Sequence, residues 1–217
     1  MITVTAFKWV PPVVQGLVRD LRVRWALEEA GMPYKVRLID QNVQKSANYR
    51  AWQPFGQVPA IDDDGLVLFE SGAIVLHIGE RCEMLLPADK RQRARAITWS
   101  FAALNSIEPP LQELGLLNFL WANEEWAIHR RPILEAFVNQ RLNDLSASLG
   151  NRQYLEDRFT AADLLMTTVL RIPRQQPIVE QYGNLFAYKE RCEARPAFQR
   201  ALRAQMQDFE RNAPPTA

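Results

Sequence analysis

The chain has 217 residues, 47% apolar and 24% charged, a globular balance that excludes disorder and collagen-like repeats for its bulk. At roughly 150 residues per domain the length suits one large domain or two small ones, and it buries about 70% of the unfolded chain's surface without staples. Lys and Arg number 26 against 25 Asp and Glu, a net charge of +1, so no global field favours nucleic acid.

No apolar run is long enough for a transmembrane helix, and the start MITVTAFKW lacks the basic and apolar regions of a secretory leader. Cys82 and Cys192 form no CxxC, which fits a reducing cytoplasm and two structural thiols. The two histidines, His77 and His129, are too few for a typical zinc site, and no metal is expected.

Residues 3–9 (TVTAFKW) are β-branched and aromatic and predict a strand. Pro11 and Pro12 make 10–16 a loop. From Leu17 the period turns helical, with Val23, Ala26, Leu27 and Ala30 at i, i+3, i+4 and i+7. Gly31 and Pro33 stop that helix. Residues 34–39 (YKVRLI) read as a second strand, and 42–53 are polar and irregular. Residues 58–61 and 66–69 flank the turn sequence DDDG and predict a hairpin. Residues 71–82 are helical, with Ile74, Ile78 and Cys82 on one face. The order β-α-β-(irregular α)-β-β-α opens with a βαβ unit and closes with two antiparallel strands.

Residues 83–90 (EMLLPADK) form a connector, beyond which strand-like alternation disappears. Helical periods cover 91 to about 122 and 124 to about 149. A further helix begins near Thr160 and others follow between 176 and 210, so this half reads as all-α. The tail 212–217 (NAPPTA) is expected to fray.

Three motifs carry information. In GQVPAI (56–61) a Pro opens a strand, which requires an edge position or a special geometry. One option is a trans Pro59 at an edge. The other is a cis Val58–Pro59 bond, which turns the Val58 N–H and C=O outward to pair with an extended peptide. At Glu70-Ser71 the hairpin meets a helix. Ser71 is a good N-cap with a solvated Glu70 beside it. Alternatively the helix start receives a carboxylate while Glu70 receives an ammonium group, which suits the α-amino acid end of a ligand. In FTAAD, Thr160 and Asp163 have capping-box spacing, with Phe159 and Leu164 as staple, which is a folding device.

Taken in order and at these spacings, RVRWALEEAGMPYKV, QPFGQVPAI, LFESGAIVLHIGE and FTAADLLM resemble the glutathione transferase superfamily over nearly the whole chain. The resemblance implies an α+β thioredoxin-like domain at 1–82, a linker at 83–90 and an all-α domain at 91–217. It implies glutathione as substrate, bound mainly by the first domain. Val58 then pairs its backbone with the cysteinyl part, Pro59 is the cis proline, and Glu70 and Ser71 hold the γ-glutamyl end. Gln57, with Gln44 or Lys45, lies near the glycyl carboxylate, unless Gln44 and Lys45 only form a solvated helix face.

The chain departs from the family pattern at the catalytic position. Members usually supply a Tyr, Ser or Cys after the first strand or at the first helix's start, but residues 8–24 contain no Ser, Thr, Cys or Tyr. The usual position falls at or near Leu17. Three replacements are open: the helix N-terminus itself, the charge of Arg19, or a hydrogen bond from Gln15 or Trp9. Without a cysteine here, thiol exchange by an enzyme cysteine is not expected. Nor does the loop carry the serine- and cysteine-bearing stretch of the maleylacetoacetate isomerase branch.

On the second-substrate side, Trp99, Asn105 and Ser106 are the candidates, with core packing as the alternative for Trp99. Trp121 and Trp126 carry the same alternative, and His129 is expected at the surface. The resemblance implies a cytoplasmic homodimer that conjugates glutathione to a small apolar electrophile in detoxification, with no metal, nucleic-acid or membrane partner. The alternative function is a non-catalytic module of the same fold that binds ligands or proteins.

Overall fold

The computed structural model describes residues 1–215, so the last two residues of the expected frayed tail lie outside it. The chain divides into two compact units, Met1–Leu86 with the segment from Arg195 on, and Pro87–Ala194.

The first unit opens with β1 (Ile2–Phe7), a 3₁₀ turn (Pro12–Val14), α1 (Asp20–Glu29) and β2 (Tyr34–Ile39). Two short helices follow, α2 (Gln41–Lys45) and α3 (Ala47–Arg50), where the sequence suggested irregular structure. Each has a side-chain cap: Asp40 accepts from the N–H groups of Asn42 and Val43, and Ser46 from that of Tyr49. Then come β3 (Ala60–Asp63), β4 (Leu66–Phe69) and α4 (Ser71–Gly79). The sheet order is β2-β1-β3-β4. β1 and β2 are parallel, with Val4 beside Val36, while β3 runs antiparallel to both β1 and β4. The thioredoxin-like βαβ and hairpin expected from the sequence are both present. Alternate residues Val4, Ala6, Ile61 and, from the helices, Leu21, Val23, Ile74 and Ile78 form its core.

Several boundaries differ from the sequence reading, among them β1, which ends at Phe7 and not Trp9, and α4, which ends at Gly79 and not Cys82. α1 begins at Asp20, not Leu17, because the 3₁₀ turn continues through bonds such as Leu17 N–H to Val14 O. β3 begins at Ala60, because Pro59 has no N–H to give the ladder. The hairpin turn is Asp64-Gly65, both with positive φ (53° and 93°), the two-residue geometry that Asp-Gly favours.

The second unit is helical: α5 (Lys90–Ala102), a π-helical turn (Ala103–Ile107), α6 (Glu108–Leu120), α7 (Glu125–Leu149), α8 (Ala161–Leu170), a 3₁₀ turn (Val179–Gln181) and α9 (Gly183–Glu193). The single helix expected over 91–122 is broken by the π turn. Pro109 and Pro110 cannot donate to the carbonyls of Asn105 and Ser106, so the regular ladder is lost there. All ten residues of α8 are buried. Its Thr160–Asp163 capping box is formed, and Asp163 also accepts from Leu155 N–H and Tyr188 O–H.

The last helix, α10 (Pro196–Arg211), groups with the first unit. Specific contacts to α1 hold it there. Phe198 packs edge-on against Trp25 at 4.8 Å between centroids. Arg195 binds Glu29 through two bonds of 2.6 and 2.9 Å, and Arg200 binds Glu28 at 2.7 Å.

Candidate functional site

The sheet register brings the candidate segments of the first unit to one end. β1 and β2 run parallel, so the loop after Phe7 and the helix after Ile39 leave from the same edge. Ala60 pairs with Phe69, which sets Val58-Pro59 and Glu70-Ser71 beside each other at that edge. One apolar cluster records the convergence: Val58 packs with Ile39 and Tyr49, against Phe7, Val18 and Val43.

The Val58–Pro59 bond is cis, which resolves the two options left by the sequence. The segment is pinned from both sides. Tyr49 O–H donates to Gln57 O at 2.7 Å and bonds Thr5 Oγ1 at 3.0 Å. Thr5 Oγ1 in turn accepts from Ala60 N–H, and its one proton is shared between the Tyr49 oxygen at 3.0 Å and Ala60 O at 3.1 Å. Burial pushes the Tyr49 phenol above its usual range, so it remains a donor. Gln44 Nε2 donates to Gly56 O at 2.7 Å. With its side chain anchored in the cluster, Val58 keeps its backbone N–H and C=O without a partner among the described residues.

At the hairpin's end, Glu70 has φ 67° and ψ 110°. A non-glycine residue held there is strained, and such strain gathers at functional sites. Glu70, not Ser71 as the sequence suggested, occupies the N-cap position, and its side chain makes no capping bond. Ser71 is the first helical residue, buried, and its Oγ accepts from Arg22 Nη1 at 3.2 Å. That bond leaves the serine O–H able to donate elsewhere. The N–H groups of Ser71, Gly72 and Ala73 have no partner among the described residues. This corner therefore presents an exposed carboxylate, a hydroxyl donor and a helix start with open N–H groups. It has the parts to hold an α-amino acid end.

On the loop after β1, Trp9 is half-buried, and among the described residues nothing accepts from its indole N–H. Gln15 donates its amide to Val10 O at 2.9 Å, bracing the loop. Arg19 is half-buried at the N-cap of α1, with no side-chain capping bond. The start of α1 is not an open anion site, contrary to one expectation. Leu21 and Arg22 donate to Val18 O and Arg19 O, and the first turn holds Asp20. That buried carboxyl is ion-paired with Arg24 at 2.8 Å.

Gln57 and Lys45 are exposed at the same sheet end, and Gln44 is half-buried. In the second unit, Trp99 donates its indole N–H to Glu156 at 2.9 Å, a carboxylate that also takes two bonds from Arg95. Asn105 and Ser106 are exposed on the π turn. Among the described residues no group of three or more His, Cys, Asp or Glu is placed to hold a metal. No helix is long and apolar enough to cross a membrane. The sequence reading missed Arg22, Tyr49 and Thr5. Only Thr5, a hydroxyl within the apolar run ITVTAF, offered a signal in the sequence.

Residues 13–80 match the model of the glutathione S-transferase N-terminal domain. The chain is 30% identical over 201 residues to the disulfide-bond oxidoreductase YfcG of Escherichia coli K12, covering 84% of this chain and 89% of the relative. It is equally 30% identical over 201 residues to glutathione S-transferase 3 of Zea mays, covering 85% and 88%. Among solved structures, a glutathione transferase of Burkholderia graminis with two glutathione molecules bound per subunit matches with a TM-score of 0.80. Its identity is 24%, over 93% of this chain and 87% of the other.

Proposed function

The chain belongs to the glutathione S-transferase superfamily and is a glutathione-dependent enzyme of transferase or related type, and on that premise we propose how its own residues bind and activate the thiol. The observation that carries the reading is the open backbone pair of Val58 beside the open helix start at Ser71. Glutathione lies along Val58 as an added strand, its cysteinyl N–H donating to Val58 O and its C=O accepting from Val58 N–H. The γ-glutamyl carboxylate accepts from Ser71 O–H and the N–H groups of Ser71 and Gly72, while its ammonium group meets Glu70. Lys45 and Gln57 serve the glycyl carboxylate. Gln44 acts from behind, holding Gly56.

An unperturbed thiol, with pKa about 8.5, is mostly protonated at neutral pH. Arg19 supplies a positive charge near the sulfur, Trp9 offers its free N–H, and Gln15 keeps that loop in place. The thiol proton goes to solvent. The thiolate then forms the S–C bond with a small apolar electrophile, whose leaving group departs with the bonding pair. Asn105 and Ser106, with Trp99, are the residues offered to that electrophile. The domain division at 83–90, a homodimer about a two-fold axis and a cytoplasmic, detoxifying role belong to the same proposal.

A second reading is disulfide reduction by glutathione alone, which needs no enzyme cysteine and so is compatible with the lack of any cysteine in 8–24. A relative is named a disulfide-bond oxidoreductase, and a structural neighbour holds two glutathione molecules. In that reaction one glutathione thiolate attacks a disulfide and releases a thiolate. A second glutathione then attacks the mixed disulfide, giving glutathione disulfide and the second thiolate. The two thiol protons end on the products.

Assays with a chloronitrobenzene and with hydroxyethyl disulfide, each with glutathione, separate the readings. Conjugation above the uncatalysed rate supports the first. Glutathione disulfide formed without conjugation supports the second. Glutathione binding without either reaction leaves a carrier, and no binding contradicts all three.

A further inference from the structure

The buried face of α10 carries polar groups that packing alone does not require. Gln205 is fully buried. Its Nε2 donates to Asp20 Oδ1 at 2.7 Å and to Val18 O at 3.1 Å. Its Oε1 is buried with no hydrogen-bond partner among the described residues. An unsatisfied buried acceptor is destabilising, and a methionine of the same length would fill the space without that cost. One turn further along, Asp208 Oδ2 accepts from Arg24 Nη2 at 2.7 Å, and Arg24 Nε donates to Asp20 Oδ2 at 2.8 Å.

Both contacts act on one place, the junction between the loop after β1 and α1. The backbone atom that the Gln205 side chain holds is the carbonyl of Val18, next to Arg19 and three residues beyond Gln15. The Val18 side chain packs against the cluster that contains Val58. A displacement of Val18 therefore moves Arg19 relative to the Val58 edge.

We propose that Gln205 of α10 is a positioning residue for the thiol-activating loop, fixing Val18 and Asp20 so that Arg19 stands at the set distance from the sulfur bound beside Val58. The role rests on the glutathione reading given above. Gln205 touches neither glutathione nor the reacting atoms. Asp208 and Arg24 hold the other oxygen of Asp20 and keep its Oδ1 aimed at the amide. Because α10 lies some 185 positions beyond Asp20 in sequence, activation depends on the far end of the chain being docked.

The test is Gln205→Met in the full chain, with glutathione itself as probe. Folding is checked by circular dichroism and a thermal melt. Calorimetry gives the dissociation constant, thiolate absorbance gives the bound pKa, and a pH–rate profile completes the set. The γ-glutamyl and backbone contacts are untouched, so at a pH well below the bound thiol's pKa, where glutathione binds as the neutral thiol, affinity changes by less than about twofold. The bound thiol's pKa rises by about 1 unit, so the rate near pH 6.5 falls roughly tenfold and recovers at high pH, where the thiol ionises unaided. A variant that folds and titrates like the wild type overturns the role.

If Gln205→Met does not fold, Gln205→Asn, which keeps the amide on a shorter stem, is read in the same way. Failure of both variants to fold assigns the network to stability alone and overturns the proposal. The wild-type titration reports separately on the underlying reading. If wild-type protein leaves the glutathione thiol at its free value, that reading fails and takes this role with it.

Discussion

Replacing Tyr49 by Phe removes one oxygen and two hydrogen bonds. Tyr49 is only 1% exposed, so the ring stays packed against Val58 and Ile39 and the perturbation is confined to the hydroxyl. One lost bond is to Gln57 O at 2.7 Å and the other to Thr5 Oγ1 at 3.0 Å. Thr5 keeps the bond from Ala60 N–H and turns its own proton fully to Ala60 O, and water reaches the exposed Gln57. With about 1 kcal/mol per bond, less what water restores, stability falls by ~1–2 kcal/mol. Chemical denaturation reads this as a lower midpoint at unchanged slope. The hydroxyl holds the residue before Val58, so glutathione must reorder that segment on binding. If the full cost recurs there, the dissociation constant rises about 5- to 30-fold. Isothermal calorimetry measures it. Native affinity in a variant with the expected stability loss would refute the reasoning, because the binding edge would then not include Val58.

Three further outcomes follow from named contacts. Ser71→Ala removes one donor to the ligand carboxylate and should weaken glutathione binding by about 1.5–3 kcal/mol, the range for a bond to a charged group; unchanged affinity in calorimetry removes Ser71 from the site. Arg19→Ala should raise the bound thiol's pKa while leaving the fold intact, and an unaltered thiolate titration excludes it. Burial raises the Asp163 carboxyl to about 6 despite its four donors. Because the folded value exceeds the unfolded one, its stabilising contribution is complete below about pH 4 and is lost as pH rises through about 6, a difference of ~3 kcal/mol. Denaturation curves at several pH values should show this slope in the wild type and not in Asp163→Asn; equal slopes in both contradict it.

The two corners of the site were legible because local chemistry fixes them. Asp64-Gly65 dictates the hairpin, the hairpin fixes the register, and the register sets Pro59 opposite Glu70. The α8 cap was equally plain, since Thr160 and Asp163 are neighbours in sequence. Element ends were less legible. Pro59 shortened β3, and Pro109-Pro110 opened a π turn where the apolar period ran on unbroken. The place of α10 was not legible at all. Phe198, Arg195 and Gln205 meet residues of α1 more than 160 positions away, and single-chain periodicity contains no term for such pairs. Arg22 and Arg24 illustrate the same limit. Their charges suggest a solvated face, yet both are buried, satisfied by Ser71 and by Asp20 and Asp208.

The central claim is that this sheet end binds glutathione and activates its thiol without a catalytic hydroxyl or cysteine in 8–24. Titrating the thiolate absorbance of glutathione against pH, with the protein in excess over ligand, tests it most directly. The account predicts a bound pKa clearly below the roughly 8.5 of an unperturbed thiol. Binding with the free thiol's pKa retained would contradict it.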